Sequence, residues 1–165
     1  PINEFILNVE GIDVDVYNDI KKPMNKYSSF KTTNAFFYVN AIITAKEKGL
    51  GDHLLVNERN NIIESTNSNF FIVSNGVIYT PPLSSGCVGG TMRMKVINLA
   101  LQHDIKVYES PITAGHLLSC EEIILTNAIQ GVRWVRSYKS KRFFHNIADR
   151  LIAALNEDTK AVIQD

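Results

Sequence analysis

Apolar positions along this chain change their period several times, and each change marks an element. Glu4–Glu10 and Val14–Tyr17, on either side of Gly11, alternate apolar with acidic or amide residues, which predicts two strands around a turn. Lys21–Ser29 is a polar connection broken by Pro23. Ala35–Lys48 is apolar almost all round, with Lys46-Glu47-Lys48 at its end and Gly49 beyond. That pattern predicts a buried helix capped by Thr32 or Thr33 and stopped at Gly49. Short apolar runs at His53–Asn57 and Ile62–Glu64 flank a turn at Glu58–Asn61, and Asn69–Ser74 and Val77–Thr80 flank Asn75-Gly76, a strong hairpin signal. Thr91–His103 has helical spacing at Met94, Val96, Ile97, Ala100 and Leu101, followed by a strand at Ile105–Glu109 and a weaker helix at Ile112–Ser119. Glu122–Thr126 and Gly131–Arg136 read as strands. Phe144–Ile163 reads as an amphipathic helix with Ile147, Leu151, Ile152 and Leu155 on one face. Strands that alternate with helices and also form hairpins predict an α/β domain, residues 1–165, built on a mixed sheet.

The 165 residues suffice for one such domain, which buries roughly two-thirds of its unfolded surface without help from a metal or disulfide. Seventeen Lys plus Arg offset seventeen Asp plus Glu, and the largest block of like charge is the short Lys139–Arg142 cluster. That balance argues against a nucleic-acid or anionic-membrane footprint and for small-molecule chemistry. The only cysteines, Cys87 and Cys120, are too few for a disulfide framework and have no metal-type spacing, which fits a reducing, cytoplasmic setting. No run of eighteen apolar residues and no signal-peptide pattern is present, and a start at Pro1 is compatible with an excised piece.

Candidate chemistry concentrates between Glu64 and Arg93. Glu64 is followed by the short polar side chains Ser65, Thr66, Asn67, Ser68 and Asn69. The run Gly86-Cys87-Val88-Gly89-Gly90-Thr91-Met92-Arg93 leads into a helix, where unpaired N–H groups favour an anion, with the hydroxyls of Ser84, Ser85 and Thr91 nearby. It lacks both the Gly-Lys-Ser/Thr ending of a P-loop and the glycine spacing of a dinucleotide fold. Upstream, Lys31 stands between a hydroxyl-rich turn and a hydrophobic helix start; lysines partly removed from water serve as nucleophiles or bases. His53, His103, His116 and His145 are scattered without ligand spacing and read as surface or packing residues, so no metal site is expected. Cys87, with no histidine near it in sequence, reads as a small loop residue.

Taken together, Phe30-Lys31-Thr32-Thr33-Asn34, Glu64 with Asn69-Phe70-Phe71, Ile78-Tyr79-Thr80, and Val88-Gly89-Gly90-Thr91-Met92-Arg93 closely resemble the signature of the class IV aminotransferases. These are the pyridoxal-phosphate enzymes of fold type IV: branched-chain and D-amino-acid aminotransferases and aminodeoxychorismate lyase. One position departs, Thr91 standing where the family prefers an aliphatic residue. The resemblance covers nearly the whole chain and corresponds to the family's larger, C-terminal domain; the smaller N-terminal domain has no counterpart. It implies an α/β fold whose mixed sheet curls into a barrel-like domain with helices outside. It also implies pyridoxal 5'-phosphate as cofactor, a small-molecule amino substrate and a homodimer in the complete protein. Lys31 would hold the cofactor covalently and move the substrate proton, and Glu64 would pair with the pyridine nitrogen. Asn69, Gly90, Thr91 and Met92, together with Asn127 and Ala128, would complete the cofactor site, the Thr91 and Met92 amides gripping the phosphate.

Two stretches lean toward one reaction. Glu64-Ser65-Thr66 and Thr126-Asn127-Ala128-Ile129-Gln130-Gly131-Val132 look more like the aminodeoxychorismate lyases than the transaminases, which usually carry Glu-Gly-Ser and Gly-Thr-Ala. The lyase would expel pyruvate from 4-amino-4-deoxychorismate, leaving 4-aminobenzoate. The alternatives are a branched-chain or D-amino-acid aminotransferase and, from another class, an inactive fragment or a non-catalytic domain that keeps the fold.

Overall fold

The computed structural model describes residues 4–163. In chain order the strands are β1 (Ile12–Lys22), β2 (Asp52–Asn57), β3 (Ile62–Ser65), β4 (Asn69–Ser74), β5 (Val77–Thr80), β6 (Val107–Glu109), β7 (Glu122–Asn127), β8 (Gly131–Tyr138) and β9 (Lys141–Arg142). The helices are α1 (Phe36–Glu47), α2 (Thr91–Gln102), α3 (Ala114–Ser119) and α4 (Asn146–Ile163). The sheet runs β3-β2-β1-β8-β7-β4-β5-β6, and a further pairing of β3 with β4, Glu64 opposite Asn69, closes β3, β2, β1, β8, β7 and β4 into a barrel. β1 is parallel to both β2 and β8, whereas β2–β3, β4–β7 and β7–β8 are antiparallel, so the barrel is mixed as expected.

Alternation along the strands sorts the apolar residues. Val14, Leu54, Val56, Ile62, Phe70, Ile72, Ile123, Leu125 and Val135 come from all the barrel strands and pack together inside, with Leu117 of α3 added to them. Phe71, Val73, Ile124, Val132 and Trp134, one residue out of step, face outward under α2 and α4. A third cluster, Tyr17, Phe37, Ala41, Leu55, Ile63 and Cys87, lies beneath α1. A side chain fully buried in this way contributes about 1.5–3 kcal/mol.

Several expectations hold. Asn75 and Gly76 both have positive φ, 51° and 73°, as the tight turn between β4 and β5 requires. At the end of α1, Gly49 at φ +69° turns the chain so that the Leu50 N–H bonds back to the Ala45 carbonyl. α4 buries Ile147, Leu151, Ile152 and Leu155.

Others are corrected. Residues 4–8 are not a strand; they are held by side-chain amides. Asn156 bonds both the N–H and the carbonyl of Phe5, and Asn8 does the same for Trp134, each amide replacing a rung of ladder. β1 runs on to Lys22, past the residue where the polar connection is predicted to begin. Neither Thr32 nor Thr33 caps α1; Ala35 precedes it with no side-chain cap. The buried face of α2 is Arg93, Val96, Leu99 and Ala100, while Met94 and Leu101 point outward.

Candidate active site

Where β3 and β4 close the barrel, a cavity of about 630 Å³ opens. Lys31, Glu64, Asn69, Gly90, Thr91, Met92, Asn127 and Ala128 all border it, although they come from the β1–α1 loop, the β3–β4 closure, the start of α2 and the β7–β8 turn. Ser84 and Ser85 do not: Ser85 is buried behind the site, its carbonyl accepting a bond from Asn57 Nδ2.

Glu64 is the buried carboxylate among these groups. Its side chain is buried, with Oε1 accepting bonds from Lys22 Nζ and from Tyr38 Oη, each at 2.6 Å, and Oε2 accepting the Val88 N–H at 2.8 Å. Burial and the charge of Glu64 push the Tyr38 phenol well above its ordinary pKa, so it remains a donor. Lys22, bonded to Glu64, is the residue of this site that sequence reasoning misses. In Lys21-Lys22-Pro23 it reads as part of a solvated connection, yet it ends β1 at 4% exposure. The available signal is the step Ile20-x-Lys22, which resumes alternation after the irregularity in β1 between Tyr17 and Lys22.

The glycine-rich segment is fastened to Glu64 and to the loop that carries Lys31. Asn69 Nδ2 donates to the Val88 carbonyl at 2.6 Å, and the Gly89 N–H donates to the Ser29 carbonyl at 2.8 Å. A Cβ at Gly90 would stand 2.1 Å from Asn69 Oδ1, so any larger residue there displaces the Asn69 amide from its bond to Val88. The helix that follows begins with neither a side-chain cap nor an acidic residue in its first turn. Its first amides, at Thr91 and Met92, therefore meet the cavity without a competing protein acceptor at the cap. On the far wall Asn127 spends its side chain on structure: Oδ1 accepts the Ile129 and Gln130 N–H groups, and Nδ2 donates to Ser68 Oγ. Lys31 itself is exposed at the cavity's edge.

Cys87 sits in this loop as a buried thiol pushed up to about 11 by its removal from water, with its Sγ against the Pro81 carbonyl. That environment suits a packing residue and disfavours a thiolate nucleophile. Among the histidines His53 is buried, its Nδ1 2.8 Å from the Ala41 carbonyl, and His103 and His116 are exposed. Among the described residues no cluster of His, Cys, Asp and Glu is placed to hold a metal, and no helix is long and apolar enough to cross a membrane.

A cavity with a buried carboxylate on one wall and bare helix amides on another suits a flat ligand that carries a phosphate. The profile of amino-transferase class IV matches residues 10–138. The chain belongs to that family. A protein of Methanocaldococcus jannaschii, provisionally named a branched-chain-amino-acid aminotransferase, is 33% identical over 125 residues, 76% of this chain and 40% of the relative. The crystal structure of a protein provisionally named a 4-amino-4-deoxychorismate lyase, from Legionella pneumophila, superimposes with a TM-score of 0.85 at 29% identity. That match covers 93% of this chain and 58% of the other. An aminotransferase of Brucella abortus, solved with PLP bound, shares the fold at 18% identity and a TM-score of 0.82, over 92% of this chain and 55% of its own. The class IV chain described here thus spans from two-fifths to just under three-fifths of the length of these relatives.

The residues present fit a pyridoxal phosphate. A carboxylate has about four acceptor positions, and three of those on Glu64 are filled, which leaves one for a ring N–H. The uncapped start of α2 offers amides to the phosphate, and Lys31 is the lysine on the cavity's border without a carboxylate partner among the described ion pairs.

Proposed function

We propose that this chain is the cofactor-binding part of a pyridoxal-phosphate enzyme that removes a proton from a small amino substrate. Within that class we favour 4-amino-4-deoxychorismate lyase. The observation that carries the class is the convergence of Lys31, Glu64 and the open start of α2 on one cavity.

The cofactor, when bound, supplies an electron sink for the carbanion left by proton removal. Glu64 holds the proton on the ring nitrogen, which makes that sink effective. The Thr91 and Met92 amides anchor the phosphate and fix the ring's position. Lys31, exposed at the cavity's edge, would hold the cofactor covalently until the substrate's amino group displaces it, and the freed Nζ would then exchange the substrate proton. In the lyase reading that proton leaves the carbon bearing the amino group, pyruvate departs and the ring becomes aromatic. The Glu64-Ser65-Thr66 and Asn127-Ala128 stretches favour this reading, as does the likeness to the Legionella protein. The second reading, a branched-chain aminotransferase, is favoured by the Methanocaldococcus relative.

Borohydride treatment of the complete protein with pyridoxal phosphate tests the class: the label should fall on Lys31, and labelling elsewhere would overturn it. Pyruvate release from 4-amino-4-deoxychorismate without an added keto acid tests the lyase. Product that forms only when an amino acceptor is supplied would assign the transaminase instead.

A further inference from the structure

The function proposed above uses Lys31 and gives no work to the second lysine at the same site. Lys22 Nζ lies 2.6 Å from Glu64 Oε1 and 3.1 Å from the Ser28 carbonyl, with the rings of Tyr38 and Phe37 beside it at 5.4 and 6.0 Å. Lysine and glutamate are both about 4% exposed along their side chains. A cation so deeply placed has lost most of its hydration, and the structure keeps it only because an anion and a carbonyl replace the water.

The distribution of donors around Glu64 shows what this arrangement achieves. Lys22 and Tyr38 occupy both positions on Oε1, which pins that oxygen away from any ligand. Val88 occupies one position on Oε2, leaving the remaining position as the carboxylate's offer to the cavity that Glu64 borders. Lys22 is also fixed by the Ser28 carbonyl, in the loop whose next residue accepts the Gly89 N–H. The same lysine therefore joins the end of β1, Glu64 and the loop leading to Lys31.

We propose that Lys22 is the positioning residue for Glu64: it fixes the rotamer and charge of the carboxylate so that a single acceptor position on Oε2 meets the ring nitrogen of a pyridine cofactor. Its place at the nitrogen end also keeps it from being the attachment lysine, because the aldehyde of such a ring lies on the opposite side from the nitrogen. The inference rests on Glu64 being the partner of that nitrogen, as given under Proposed function.

The test uses the whole chain with Lys22→Met, Lys22→Arg, Glu64→Gln and the double variant Lys22→Met/Glu64→Gln. In the cofactor-free protein, denaturant unfolding of this set should show coupling of about tenfold or more in the unfolding equilibrium; independent effects would overturn the pairing. Should Lys22→Met fail to fold, acetic anhydride labelling decides the same point. Lys22 should be the slowest lysine of the folded wild-type chain to react, and Glu64→Gln should speed it about tenfold; a Lys22 that reacts as fast as the exposed Lys21 overturns the pairing. With pyridoxal phosphate added, Lys22→Met should weaken uptake about tenfold and shift the absorption band of the bound cofactor, and Lys22→Arg should restore both. A Lys22→Met chain that binds and absorbs like wild type would reduce Lys22 to a structural cation and overturn the positioning role. If the wild-type chain takes up no cofactor while the coupling persists, the cofactor reading fails and the pairing stands.

Discussion

Glu64 and Glu122 are equally buried, at 3% exposure each, and are held in opposite ways. Glu122 opens β7 and accepts the N–H groups of Ile147, at 2.9 and 3.0 Å, and of Ala148, at 3.2 Å, in the first turn of α4. It pins a helix to the barrel with backbone donors alone. Burial pushes its carboxyl above the ordinary value, while the Ile147 and Ala148 donors pull it back. Glu64 is held by a lysine and a tyrosine that reach it from β1 and α1, and by one loop amide. The difference teaches that depth alone does not mark a functional acid. A structural carboxylate can be satisfied by a single helix turn; the one at the site draws donors from three separate segments and borders a cavity with acceptor capacity to spare.

The comparison can be broken by exchanging the two acids for their amides. If the complete protein has the proposed activity, Glu64→Gln should raise the barrier to turnover by roughly 3 kcal/mol, about a hundredfold in kcat, whereas Glu122→Gln should leave kcat near wild type. Steady-state kinetics of the pair decides, and similar losses in both would erase the distinction. Next in size, Glu122→Ala strands the α4 amides and should cost about 2–3 kcal/mol in urea unfolding. Around Glu64 a smaller change sharpens the picture. Gly90→Ala forces Asn69 aside and should weaken cofactor uptake by about 1–2 kcal/mol. Gly89→Ala, whose added Cβ would meet only ordinary contacts from 3.6 Å outward, should be close to neutral. Fluorescence titration with pyridoxal phosphate compares the two.

The smallest effect is in pH. Because the native carboxyl of Glu122 titrates above its unfolded value of 4.5, the native state binds this proton more tightly than the unfolded chain. The stability of the wild type relative to Glu122→Gln should therefore be greatest below about pH 4.5 and fall as the pH rises through the window up to the native value. Unfolding curves of both proteins across that window test the sign, and a difference that grows with pH would contradict it.

Much of this was legible in the sequence, for reasons that differ by element. Asn75-Gly76 and Gly49 announce their turns because few other residues adopt positive φ cheaply. The alternation of Phe70 and Ile72 against Phe71 and Val73 gives β4 both of its faces before any partner is known. Residues 4–8 mislead because Asn8 and Asn156 stand in for a neighbouring strand, a substitution with no local signature. Closure of the sheet was implied only by family resemblance, since the rung between Glu64 and Asn69 is a tertiary fact. At the site, Lys31 and Glu64 stood out by motif. Lys22 did not, because its burial depends on Glu64 and Tyr38, separated from it by 42 and 16 residues respectively in a polar-looking context.

The parallel seam between β1 and β8 has a kinetic consequence. Arg136 and Asp13, paired across it, are 123 residues apart in the chain, whereas the β4–β5 hairpin and the turn between β7 and β8 join close neighbours. Loop-closure entropy must be met before so distant a contact returns any stabilisation, which places this seam among the late events of folding. Lys22 lies on the same strand, ten residues beyond Ile12. There it pairs with Asn57 of β2 and not with β8, so its contact with Glu64, 42 residues away, follows from the β1–β2 pairing and can form before the distant seam closes.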